Sequence, residues 1–130
     1  MKLYAAVMIG GAIGSAFRFG MSEWIAETAQ STFPWGTLAV NVIGSLVIGI
    51  FAGLTGPHGP LVVSPVFSVF VTIGILGGFT TFSSFSLQTV SLFQEGQWLS
   101  AVGNVISSVV ICLLAAGLGI ALANALPGRT

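Results

Sequence analysis

From residue 28 to residue 94 this chain contains no Asp, Glu, Lys or Arg, and residues 96 to 128 repeat the pattern. A chain folded in water must cover itself with charge, and soluble domains carry about 25% charged residues. Here the figure is 5%, against 55% hydrophobic. Small domains leave a large share of their area exposed, so a chain of 130 residues cannot hide such runs from water. The bilayer must serve as the solvent. Three Lys/Arg balance three Asp/Glu, a formal net charge of zero. That leaves no basic surface of the kind nucleic acid requires.

A spanning helix needs about 20 mostly apolar residues. The apolar runs predict one all-helical domain over 1–130, with spans at 3–24, 35–55, 62–93 and 98–126. Lys2 and the run to Phe17 have the outline of a secretory signal. The glycines Gly10, Gly11 and Gly14, and the continuation through Arg18, assign this segment to the first span instead. Gly56-Pro57-His58-Gly59-Pro60 is a turn, which makes His58 a solvated loop residue. Trp24, Trp35 and Trp98 fall near predicted helix ends, where indoles favour the membrane interface.

The third span is too long. At 1.5 Å per residue the stretch from Leu61 to Phe93 would reach roughly 50 Å, against a hydrocarbon core of about 30 Å. Gly74-Ile75-Leu76-Gly77-Gly78-Phe79-Thr80-Thr81 is where a break is expected, near Gly77–Thr80. Irregular backbone at membrane depth survives only when buried in protein or lining a wet cavity, and such breaks can bind ions. The alternative is that Gly77-Gly78 only permits close helix packing.

An even number of spans puts both termini on one side. Lys2 and Arg129 lie there, with Arg18 toward the other side beside Glu23, Glu27 and Glu95. Short-loop Lys and Arg set orientation, and a near-balance allows both orientations and hence an antiparallel dimer of one gene product. Four helices leave no lumen of their own, yet polar stripes recur every fourth residue. They are Thr37, Asn41, Ser45, Gly49 and Gly53; Ser100, Asn104, Ser108 and Cys112; and Gly10, Gly14 and Arg18. Small residues promote close packing. Asn41 and Asn104 ask for more, because an amide in hydrocarbon is costly unless hydrogen-bonded and intramembrane polar groups are functional candidates. Cys112 is the one cysteine, so no intrachain disulfide forms, and one Cys with one His makes no metal site.

Thr80-Thr81-Phe82-Ser83-Ser84-Phe85-Ser86 packs five hydroxyls into seven residues. Phe82 and Phe85, three apart, share a helix face. Hydroxyls donate hydrogen bonds, and aromatic ring edges carry positive partial charge. Such a face without a carboxylate suits a small anion. All three acids lie near helix ends, which favours a passive pore over a proton-coupled carrier. No acid–base pair, nucleophile–base pair or metal cluster lies in the spans, which argues against an enzyme.

Three stretches carry a resemblance. They are Gly10-Gly11-Ala12-Ile13-Gly14-Ser15-Ala16-Phe17-Arg18-Phe19, Gly36-Thr37-Leu38-Ala39-Val40-Asn41, and Gly74 through Phe85. In this order the chain resembles, over essentially its whole length, the Fluc (CrcB-type) family of fluoride channels. The resemblance implies an antiparallel, dual-topology homodimer with two fluoride pores in the bacterial inner (plasma) membrane, exporting fluoride that entered as HF. It implies a central structural sodium ion held by backbone oxygens of Gly77 and Thr80. It points to Phe82 and Phe85 as the aromatic pair of the pathway, Asn41 as an amide donor, and Thr37, Ser83 and Ser108 as a hydroxyl track. Arg18 matches the family's first-helix arginine, either near a pore mouth or as a snorkelling interfacial cation. Three positions depart from the family pattern: Gln88 for a frequent glutamate, Asn104 for an occasional aromatic, and Ser84 for a common threonine. Two other readings remain at this stage, a dual-topology drug exporter, which needs an embedded carboxylate, and a non-transporting membrane subunit.

Overall fold

The computed structural model describes residues 1–127. Arg129, counted in the charge balance, lies outside the described residues. Four helical segments are long and apolar enough to cross a membrane: Lys2–Ala29, Trp35–Thr55, Pro65–Gln94 and Trp98–Asn124. They are called here the first, second, third and fourth spans. Among the described residues there is no strand.

The helix ends follow local chemistry. The first span runs beyond Trp24, where its apolar pattern stops, because polar residues at a wet helix end do not terminate it. The Thr28 hydroxyl donates back to the Trp24 carbonyl at 2.7 Å. Gln30 then adopts the left-handed conformation (φ 46°) and donates its N–H to the Ala26 carbonyl, as a helix-ending residue does. The second span begins directly after Pro34. The third begins with Ser64, whose hydroxyl oxygen accepts from Phe67 N–H at 3.2 Å, and Pro65 follows at the first helical position, where its missing N–H does no harm.

The third span is not one regular helix. It is α-helical over Pro65–Val69, π-helical over Phe70–Leu76, and α-helical again over Gly77–Phe79. Thr80 and Thr81 are extended, and a new α-helix covers Phe82–Gln94. The Thr72 hydroxyl donates to the Ser68 carbonyl at 2.8 Å at the start of the widened turns. Such back-bonding competes for the helical ladder and bends helices. The break therefore falls at Thr80–Thr81, just after the glycines rather than on them.

Those glycines serve packing. A Cβ on Gly10 would stand 2.9 Å from the Cα of Gly74, and the reverse holds at the same distance. Here the first span touches the third backbone to backbone, which a side chain would prevent. The second and fourth spans meet in the same way, a Cβ on Gly49 running into the Ala116 carbonyl. Both readings of the glycine region hold in part: Gly78 is against Gly11, while the chain breaks two residues on.

Few side chains are fully enclosed. Val40 and Asn104 are the largest. Phe17, Phe19, Ile106 and Leu113 face outward. An apolar exterior around small-residue seams is the pattern expected where lipid replaces water as the surrounding medium.

Candidate functional site

Thr81 organises the break. In a continuous helix its N–H would bond the Gly77 carbonyl, and the N–H of Ser84 would bond the Thr80 carbonyl. Neither does so. Thr81 N–H donates to Asn41 Oδ1 at 2.8 Å, and Asn41 Nδ2 returns a bond to the Thr81 carbonyl at 3.0 Å. With one amide the second span thus supplies an acceptor for the N–H that the break deprives of its helical partner and a donor to the adjoining carbonyl. Ser84 N–H donates to Thr81 Oγ1 at 3.2 Å, a side-chain cap for the new helix. Asn41 and Thr81 together divert the donors that the carbonyls of Gly77 and Thr80 would otherwise accept. Those two carbonyl oxygens are left available to another partner.

Two cavities meet at Thr81. One, of about 440 Å³, is lined by Asn41, Ser45, Gly77, Thr80, Thr81, Phe82, Phe85, Ser108 and Cys112 among others, and no charged residue borders it. Phe82 and Phe85 stand with ring centroids 5.2 Å apart, tilted at 46°. Phe85 is buried, whereas Phe82 is 78% exposed. The other cavity, of about 520 Å³, is lined by Arg18, Ser22, Glu23, Thr37, Thr81, Ser84, Gln88, Ser91 and Glu95 among others.

The residues expected from sequence therefore divide. Asn41, Phe82, Phe85, Ser108, Gly77 and Thr80 border the uncharged cavity. Thr37 and Arg18 border the charged one. Ser83 lines neither, but its hydroxyl lies 3.2 Å from Thr81 Oγ1 at the junction. Gln88 reaches the charged cavity, and its Oε1 is buried without a protein donor.

Three residues carry more of the site than sequence reasoning assigned them. Thr81 and Ser84 were visible only as members of a hydroxyl-rich run; their geometry, with 3.0 Å between the two hydroxyls, is tertiary. Thr89 gave no signal beyond its spacing of four from Phe85. It donates to the Phe85 carbonyl at 2.7 Å and accepts from Asn104 Nδ2 at 2.8 Å. The Ser108 hydroxyl closes this chain by donating to Asn104 Oδ1 at 3.4 Å.

Comparison with known proteins places this architecture. The model of the CrcB-like protein, Camphor Resistance (CrcB) family matches residues 5–120. A protein of Opitutus terrae, named a fluoride-specific ion channel, is 54% identical over 119 residues, covering 92% of this chain and 90% of its own. One of Paramagnetospirillum magneticum with the same name is 53% identical, covering 92% of this chain and 93% of its own. One of Bradyrhizobium diazoefficiens is 42% identical over 123 residues, 95% of this chain and 90% of its own. With a family match over nearly its full length and relatives above half identity, the chain belongs to the CrcB-like family.

Proposed function

We propose that this multi-pass bacterial membrane protein is a fluoride-selective passive channel that lowers intracellular fluoride, working as an antiparallel homodimer with two pores. The observation that carries the proposal is the uncharged cavity, where an aromatic pair, an amide and a hydroxyl converge. Family membership and the relatives' names agree with it.

Fluoride is small and strongly hydrated, so it crosses hydrocarbon only if its water is replaced piece by piece. Ring edges of Phe82 and Phe85 and the Asn41 amide are donors of the kind required, while Ser108 borders the same cavity with its one hydrogen given to Asn104. Asn41 commits one Nδ2 hydrogen to Thr81, and its second hydrogen is the one that serves an anion. Thr37, Ser83, Thr81 and Ser84 continue the donors toward the charged cavity, with Arg18 at its wall. Chloride, larger and a weaker acceptor, gains less from the same donors, and selectivity is the difference.

The carbonyl oxygens of Gly77 and Thr80 suit a hard monovalent cation, since oxygen donors without net charge are what such ions accept. In the antiparallel dimer, those of both subunits would hold a structural sodium ion. Bound there, it supplies positive charge that offsets the repulsion an anion meets in a low-dielectric interior. The near-balance of loop charge supports dual insertion.

A proton-coupled drug exporter needs a carboxylate at its cavity, and this cavity has none. The test is efflux from liposomes holding the purified protein. Fluoride is expected to leave fast and chloride slowly, and Phe82→Ile is expected to abolish the fluoride flux. A folded protein that releases no fluoride would defeat the proposal and return the function to a scaffold or exporter.

A further inference from the structure

Asn104 is 1% exposed, the most deeply buried polar side chain among the described residues. An amide so placed is costly unless bonded, and both its ends are engaged. Nδ2 donates to Thr89 and Oδ1 accepts from Ser108. Thr89 passes its own hydroxyl hydrogen to the carbonyl of Phe85. One amide thus ties Ser108 on the fourth span to the helical turn that carries Phe85. Both ends of the tie border the uncharged cavity. Among the described residues, Asn104–Thr89 is the one side-chain hydrogen bond joining the fourth span to Phe82–Gln94. With no second such bond between these helices, non-directional packing alone would set their separation loosely.

We propose that Asn104 is a positioning residue: through Thr89 and Ser108 it fixes the separation of the two walls of the fluoride pathway, and so sets discrimination between fluoride and chloride. The inference rests on the pathway reading above. A small anion gains from ring edges and an amide donor only when the opposite wall, on the fourth span, holds it against them. Coulomb attraction falls with distance, so a pathway that widens loses more for the smaller ion than for the larger one.

Asn104→Leu leaves no donor stranded. In Asn104→Leu, Thr89 still donates to Phe85, and Ser108 turns to the carbonyl one helical turn back. Replacing both partners of a buried hydrogen bond with apolar groups of similar shape, as the Asn104→Leu/Thr89→Val double variant does, is close to neutral for folding. Thr89→Val cuts the same tie from the other side at the cost of leaving Asn104 Nδ2 without its acceptor, which the double variant removes, and Thr89→Ser keeps the hydroxyl.

Fluoride and chloride efflux would be measured in liposomes for these variants, for the Asn104→Leu/Thr89→Val double variant, and for Phe85→Ile. The fluoride-to-chloride rate ratio is expected to fall about tenfold in Asn104→Leu and in Thr89→Val, the equivalent of about 1.4 kcal/mol. Thr89→Ser should keep the parent ratio. The double variant should lose no more than either single one, as members of one network do. An unchanged ratio in both single variants, or losses that simply multiply in the double, would overturn the inference. Phe85→Ile separates this from failure of the underlying reading. If it stops fluoride while the other ratios stay fixed, only the positioning role is wrong. If it conducts fluoride like the parent, the pathway itself is wrong and this inference falls with it.

Discussion

Asn41 makes the break possible. Extended backbone at membrane depth exposes main-chain groups that lipid cannot satisfy, and the amide supplies both an acceptor and a donor to Thr81. Asn41→Leu removes both. An unsatisfied buried group costs about 1–3 kcal/mol, so the thermal unfolding midpoint in detergent is expected to drop by about 10 °C or more. An unshifted midpoint would show that Thr81 finds other partners. Asn41→Asp keeps the acceptor and loses the donor. It is expected to retain part of the stability yet stop fluoride efflux, since a carboxylate beside the pathway repels an anion.

Between elements, glycine decides which helices touch. A Cβ on Gly14 would collide with the Ile75 carbonyl, whereas one on Gly20 meets no atom within 4 Å. Gly14→Ala is therefore expected to destabilise by about 1–3 kcal/mol, the scale of overpacking. Gly20→Ala should be neutral or stabilising by up to about 1 kcal/mol, from helix propensity alone. Unfolding midpoints of the pair, measured side by side, check this. Equal shifts would mean that the seam between the first and third spans is not close-packed. The same element-level logic explains the position of the break. Glycines at 74 and 78 are packed backbone to backbone against the first span, and the chain departs from the helix at the two threonines that follow.

For the molecule as a whole, the test concerns orientation. If loop charges are near balance, a cysteine replacing Lys2 should be labelled from each side of the membrane in about half the copies. Adding two lysines to the loop at residues 30–33 should bias one orientation and abolish fluoride efflux. Co-expression with an oppositely biased copy should restore it. Uniform labelling of the parent from one side would rule out dual insertion. Replacing sodium with a bulky organic cation during purification is expected to slow fluoride efflux or weaken the dimer, read by flux and by size-exclusion chromatography.

The membrane as solvent, the number of spans and the need for a break in the third were all legible in the residue string. Each follows from one-dimensional quantities: charge spacing, apolar run length and helix rise per residue. Phe82, Phe85 and the hydroxyl run were legible too, because side chains three or four apart share a helix face whatever the rest of the chain does. The partners were not. That Asn41 would clasp Thr81, 40 residues away, or that Asn104 would reach Thr89, depends on which helices lie side by side. Glycine-lined seams decide that, and their surfaces find each other only in three dimensions. Hydrogen bonding is directional and short-ranged, so the residue types gathered around the break, Thr89 apart, could be read in advance, while their wiring waited for the fold.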